Sequence, residues 1–339
     1  MLSYYDFRPC YQTNDQPPRE LNAEERRACL ERLFRLFYNQ AIHPELLNLE
    51  HRRQRLVRLI SLSLLLLAAV VALQIFIGIF VVTLVLFIPV ALWIAYLVFR
   101  VQVYFQEFKP RIVGLILDFI DNDLNYKDLQ YKAKGFIPKS KFLSSKIFTT
   151  ADDYAGEDLI TGQVREMPFE LCELRVREFS PARNRLDRVF VGLFLAGDFH
   201  RIDMHGELLL LPDEYRKYLT RSERAFHLGG GRRVSGHLLP EFEVWFDTYA
   251  TPDLRVRDVI SHELQHAILE FRNRYQQLNR QKEIYLSIIG DNIFIALSQD
   301  KNLLEPSLWS STVSFETVRE MYQDITMVLD LVKAVDVMN

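Results

Sequence analysis

Between Leu59 and Phe99 the chain carries no charged side chain for 41 positions, and the rest of the hydropathy pattern is organised around that run. One bilayer span needs about 20 apolar residues to cross roughly 30 Å of hydrocarbon, so the run is too long for one helix and right for two. The pattern therefore predicts a two-helix transmembrane hairpin over residues 58–100. Its turn is expected near Gln74 to Gly78, where the run's one amide side chain and one glycine fall. Pro89 sits inside the second span, where neighbouring helix or shielded backbone must tolerate its missing N–H. Arg52, Arg53, Arg55 and Arg58 precede the run and Arg100, Lys109 and Arg111 follow it. Basic residues mark the cytoplasmic side, so both termini are expected in the cytoplasm. A signal peptide does not fit, because the run starts late, is too long and lacks a small-residue cleavage pattern.

The flanking patterns are different. Before the run, Asn22 with Glu25 three residues on reads as a capped helix start, and Leu30, Leu33, Phe34 and Phe37 recur at helical spacing. After the run, FKPRIVGLILDFIDNDLNY predicts a separate helix from about Pro110, since proline is tolerated in a first turn. From about Ala151 short strands with turn punctuation take over: DLITGQV, MPFELCELRVREF, RVFVGLFLAGDF, GELLLLP and EFEVWFDTYA. A helix over 253–275 follows, then a hairpin around Gly290, Asp291 and Asn292, then a last helix over 313–336. The expected fold class is α+β: a transmembrane hairpin followed by a cytoplasmic antiparallel-sheet domain with two late helices. Four segments result: an amphipathic helical segment over 1–57, the hairpin over 58–100, a juxtamembrane helix and connector over 101–150, and the α+β domain over 151–339.

Composition narrows the function classes. A net charge of −3 on 339 residues provides no global field for nucleic acid, so no nucleic-acid partner is expected and the first partner is the lipid bilayer. Cys10, Cys29 and Cys172 are odd in number, far apart and never in a CxxC pair, which predicts no disulfide framework and a reducing setting.

Several stretches carry a resemblance: YAGEDLITGQV, FVGLFLAGDF with GELLLLPDE after it, PEFEVWFDTYATPDLRVRDVIS, and IYLSIIGDNIFIALSQDKNLLEPSLWSS. With the basic-flanked hairpin, their order and spacing resemble a bacterial membrane-protein family, domain of unknown function family three-one-three-seven. The resemblance implies a membrane-anchored cytoplasmic α+β domain at the bacterial inner membrane, multi-pass, with no activity carried over. It also implies a LemA-like membrane protein as partner.

One motif points elsewhere. In ISHELQHAILE, residues 260–270, His262, Glu263 and His266 have the HExxH spacing. Residues four apart share a helix face, so His262 and His266 could ligate one Zn²⁺ while Glu263 activates water. Against this, Val256, Ile260, Leu264, Ala267 and Phe271 fall on one face, leaving the histidines opposite, in line with Arg255 and Asn273. Leu269 and Arg272 stand where a metzincin has its glycine and third histidine, and a gluzincin would need a downstream carboxylate, for which Glu320 in Glu320–Asp324 is the sole ExxxD candidate. The resembling family has an ordinary packing helix at this position. The glycine loop Gly229–Gly231, with Arg232 and Arg233, reads as a loop rather than a phosphate cradle, since Lys-Ser/Thr is missing. His200 and His205, with Asp198 and Asp203, read as turn polarity. The expectation is a binding or scaffold module with no cofactor; the alternative is a zinc-dependent metallopeptidase using HELQH and Zn²⁺.

Overall fold

The computed structural model describes residues 8–10, 23–77, 80–198, 206–213, 217–236, 238–277, 283–299, 308–311 and 313–336. They form two compact units. The first holds the described residues up to 119 together with 308–311 and 313–319, and the second holds those of 120–299 and 320–336.

In the first unit, α1 (Ala23–Phe37) runs through a π-helical turn, Tyr38–Ile42, into α2 (His43–Ile77), and α3 (Phe80–Ile120) runs antiparallel to it. Three pairs set the register: Arg111 with Glu45 at 2.6 Å, Arg52 with Glu107 at 3.1 Å, and Trp93 Nε1 donating to Ser63 Oγ at 2.9 Å. Their midpoints fall at positions 78 to 80, beside the stretch where the turn is expected. Gly78 itself, like the expected cap Asn22, lies outside the described residues.

Two expectations need correction here. Residues from Pro110 on do not start a new helix, because α3 continues unbroken through Pro89 and Pro110 to Ile120. An interior proline costs a backbone hydrogen bond and a local clash, and packing outweighs that cost: Phe108, Ile112, Val113 and Ile116 are all buried. The cysteine spacing also misled, since Cys10 and Cys29 form a disulfide, their Cα atoms 5.4 Å apart. Separation in sequence does not bound separation in space.

Aromatic contacts hold α1 and the π-helical turn against the end of α3 and against Phe315. Phe34 and Phe37 of α1 pack on Phe119 at 5.3 and 5.1 Å, and Tyr38 meets Phe315 edge-on at 5.0 Å. Along the uncharged run the opposite holds. Leu62, Leu64, Leu65, Leu66, Ile75 and Phe76 are exposed on α2, and Val85, Phe87, Ile88, Leu92, Val98 and Phe99 on α3. Both helices are long and apolar enough to cross a membrane.

The second unit is a nine-stranded antiparallel sheet in the order β1-β2-β3-β4-β9-β8-β5-β7-β6. In chain order these are β1 (Tyr126–Lys132), β2 (Asp153–Val164), β3 (Met167–Ser180), β4 (Arg185–Asp198), β5 (Glu207–Pro212), β6 (Arg232–Val234), β7 (Phe246–Ala250), β8 (Ile284–Ile289) and β9 (Asn292–Ser298). The helices are α4 (Lys139–Ser144), α5 (Lys217–Leu228), α6 (Pro240–Trp245), α7 (Val256–Val259), α8 (His262–Gln277) and α9 (Phe315–Asp336), whose first five residues cluster with the first unit. The fold class is α+β, as the pattern of strand runs and late helices predicts.

The core lies on one sheet face, where Phe142 of α4 stacks on Phe148 at 5.0 Å and meets Phe194 at 5.0 Å; Phe148 in turn meets Phe190 and Tyr285. Leu193, Leu195, Leu208, Leu210, Leu286, Ile288, Ile293 and Ile295, which alternate with that set, are buried as well. The central strands are therefore covered on both faces, which explains their unbroken apolar runs. At Gly192 β4 and β9 approach too closely for a side chain: its φ is +152°, and a Cβ there would lie 2.0 Å from the Leu297 carbonyl oxygen. The two-residue turn of β8–β9, with Gly290 at φ +57°, matches expectation.

The stretch EFEVWFDTYA departs from its strand reading in its first half. Pro240 at the start and Glu241 and Glu243 in the first turn favour a helix, and the chain becomes extended only at Phe246.

Candidate functional site

The HELQH segment begins a helix rather than lying inside one. The helix expected over 253–275 is split into α7 and α8 at Ile260 and Ser261. Ser261 caps α8: its Oγ accepts from the Leu264 N–H at 3.1 Å and its carbonyl from the Gln265 N–H at 3.0 Å. That capping is the ordinary use of serine at this position. Glu263 then stands in the first turn, where a carboxylate complements the helix dipole.

The interior of the motif is structural. Leu264 is fully buried, and Gln265, 1% exposed, accepts from the Leu239 N–H at 2.7 Å while donating to the Ile260 carbonyl at 3.1 Å. One amide thus ties α8 both to the turn before α6 and to the break before its own start. Val256, Ile260, Leu264 and Phe271 are buried, and Ala267 partly so. His262, Glu263, His266 and Asn273 are exposed. Trp245 at the end of α6 lies under the guanidinium of Arg272, 3.2 Å from ring centroid to Cζ.

Zinc chemistry needs a third ligand close to both imidazoles. Among the described residues, one group of three His, Cys, Asp or Glu side chains has ligand atoms all within 4.8 Å of one another, and it is Glu157, Asp158 and Glu173. His262, Glu263, His266 and Glu320 are described and are not in it. Glu320 is partly buried on α9. His200 and His205 lie outside the described residues.

A contrast within five residues measures what the motif does. Gln265→Ala is expected to destabilise the protein by about 1–3 kcal/mol, the cost of leaving a buried backbone donor and acceptor without partners. Changing both His262 and His266 to alanine should move stability by no more than about 0.5 kcal/mol. Denaturant titration of the three proteins checks both values. Stoichiometric zinc in the purified wild-type chain, lost in the double variant, would contradict the second.

Residues 188–337 match the model of a family described as Protein of unknown function (DUF3137). Over that part the chain is similar to the DUF3137 family. The matched part runs from within β4 through α9 and takes in HELQH and Trp245. No curated protein and no solved structure matches the chain.

The acidic trio lies outside the DUF3137 match, on strands that extend the same sheet. Sequence patterning missed it because it is made by a bulge. The β2–β3 register shifts between Glu157 and Ile160, with Asp158 at φ +61°, and this leaves Glu157 opposite Glu173. Like charges directly opposite on a sheet repel. Arg175 offsets this with an ion pair to Glu157 at 2.6 Å, and the Tyr131 hydroxyl donates to Asp158. Burial, and then that bond, push the Tyr131 phenol pKa well up. One of the three carboxylates is thus paired with an arginine and a second accepts a hydrogen bond from a phenol. Cys172 is inert: burial pushes its thiol up to about 12, although the Ile137 N–H, 3.4 Å away, pulls the other way.

The glycine loop forms a tight helix end rather than a cradle. His227 Nδ1 bonds the Gly231 carbonyl at 2.7 Å, and a Cβ on Gly231 would overlap the Phe226 ring. Arg233 pairs with Asp247 of β7, whose carboxyl is held above its ordinary range by burial, against the pull of that arginine.

Proposed function

We propose that this chain is a membrane-anchored binding module: α2 and α3 cross a bilayer as a hairpin, and the sheet unit, which holds most of the region similar to DUF3137, binds another component at the membrane surface. The observation carrying this reading is the exposure of a long series of Leu, Val, Ile and Phe side chains on two antiparallel helices over a stretch without charge. Soluble proteins rarely leave apolar patches of that extent in water. A core helix does not explain them, since only 11% and 17% of the two most apolar windows are buried.

The basic residues at both outer ends favour both termini on the cytoplasmic side, which the family resemblance extends to a bacterial inner membrane. The Cys10–Cys29 disulfide weighs against this, since such bonds persist in oxidising compartments. The charge bias prevails in this reading: seven basic residues flank the run and none lies in it, whereas one disulfide can be reduced without changing the topology. For the sheet unit, the binding role rests on a well-packed domain that brings no complete catalytic constellation together among its described residues. A LemA-like membrane protein is the partner class proposed.

The test is direct. The full-length chain should stay in the membrane pellet after alkaline carbonate washing, and crosslinking in intact membranes should capture a reproducible membrane-protein partner. Release by carbonate would end the anchor reading. Retention with only random neighbours captured would end the binding reading alone.

A further inference from the structure

A segment of the region similar to DUF3137 lies against the base of the two apolar helices. Arg53 on α2 is buried, with its Nε and Nη2 donating to Glu50 at 2.9 and 2.6 Å and its Nη1 donating to the Leu308 carbonyl at 2.6 Å. A buried guanidinium keeps such partners, because leaving it uncompensated is costly. Position 308 is thereby fixed to α2, and both belong to the same compact unit.

That fixes the height of the next residue. Arg53 precedes Leu59, the first residue of the uncharged run, by six positions, or about 9 Å along a helix. The headgroup zone occupies about 5–8 Å on each side of the hydrocarbon, and an indole side chain spans the remaining distance. Trp309 follows Leu308 immediately and is 72% exposed. Its chain neighbours Ser310 and Ser311 are exposed, as are His51, Arg52 and Arg55, the residues of α2 that flank Arg53 in sequence. An exposed indole one residue from a carbonyl held by Arg53, just outside an apolar span, has the amphipathic character that places tryptophan at membrane–water interfaces.

We propose that Trp309 is an interfacial anchor, its indole seated among the lipid headgroups of the bilayer that α2 and α3 cross, pinning the 308–311 segment of the region similar to DUF3137 to the membrane surface. The inference rests on the membrane reading above, and the experiment separates the two. The full-length chain is reconstituted in vesicles of phosphatidylcholine and phosphatidylglycerol whose acyl chains carry bromine either near the glycerol or at mid-chain. One variant keeps Trp309 alone (Trp93→Phe with Trp245→Phe), and a second keeps Trp93 alone (Trp245→Phe with Trp309→Phe).

Trp93 should be quenched, because it lies within the uncharged run. Trp309 should lose most of its emission to the shallow bromines and little to the deep ones. Quenching of Trp93 without shallow quenching of Trp309 overturns the anchor and leaves the hairpin standing. Deep quenching of Trp309 overturns it too. If neither tryptophan is quenched, the membrane reading falls and takes the anchor with it. Should the double substitutions impair folding, the difference in shallow quenching between the wild-type chain and Trp309→Phe gives the same quantity with the other tryptophans intact.

Discussion

Phe142→Ala is expected to cost about 3–5 kcal/mol, the range for removing a fully buried aromatic ring. Phe142 is a wholly buried side chain on a six-residue helix, α4, and its ring meets Phe148, Tyr154, Phe190 and Phe194. A helix so short has almost no stability of its own, so the loss of its central contact removes the reason for it to dock. Its cap is equally dependent on packing, since Pro138 offers no side-chain bond at the start of the helix. Nor can the gap close cheaply. Phe194 and Phe190 are fixed on β4 by pairing with β3 and, around Phe194, with β9. Denaturant unfolding of the detergent-solubilised chain measures the effect, with Phe179→Ala, an exposed phenylalanine on the same sheet, expected near zero. A cost below about 1 kcal/mol at Phe142 would mean that α4 is not part of the core. The residue also bears on where the domain ends: the DUF3137 match begins at 188, yet Phe190 and Phe194 are covered by a helix that precedes it. Residues 120–187 are part of the folding unit, and removing them should leave the matched region unable to fold.

The long features were legible because their signals are local. An uncharged run of 41 residues and alternating Ile and Leu about Gly290 state the two apolar helices and the β8–β9 hairpin without help from the rest of the chain. What stayed hidden depends on contacts between distant positions. Pro110 looked like a helix start and lies inside α3, because burial of Phe108 and Ile112 on either side outweighs the lost hydrogen bond. EFEVWF carries both helical and strand character, and Pro240 decides it. The acidic trio exists because a bulge at Asp158 turns one carboxylate towards two others, which composition along β2 does not reveal. Trp309 gains its meaning from a hydrogen bond between residues 255 positions apart, Arg53 and Leu308. HELQH shows the converse. Its spacing was conspicuous, while the side chain that fixes the helix in place is the glutamine between the histidines.

Leu66→Arg should abolish stable membrane association, and a matched control makes the result specific. Leu66 and Leu36 are each 47% exposed leucines on helices of the same unit. In water the two positions are equivalent, and arginine at either would change stability by no more than about 0.5 kcal/mol, with its long stem still covering apolar neighbours. In a bilayer they differ. Leu36 lies in α1 among charged residues, whereas Leu66 lies near the middle of the first half of the uncharged run, where replacing leucine by arginine shifts insertion by about 3–4 kcal/mol. Each 1.4 kcal/mol is tenfold, so the inserted fraction should fall more than a hundredfold relative to the uninserted form. Carbonate-resistant protein in the membrane pellet is the readout: wild type and Leu36→Arg retained, Leu66→Arg lost to the supernatant or degraded. If Leu66→Arg stayed in the pellet as fully as Leu36→Arg, the exposed apolar face would not be facing lipid. The cover for those side chains would then have to be protein, and a second copy of the hairpin or another chain would be required to bury them.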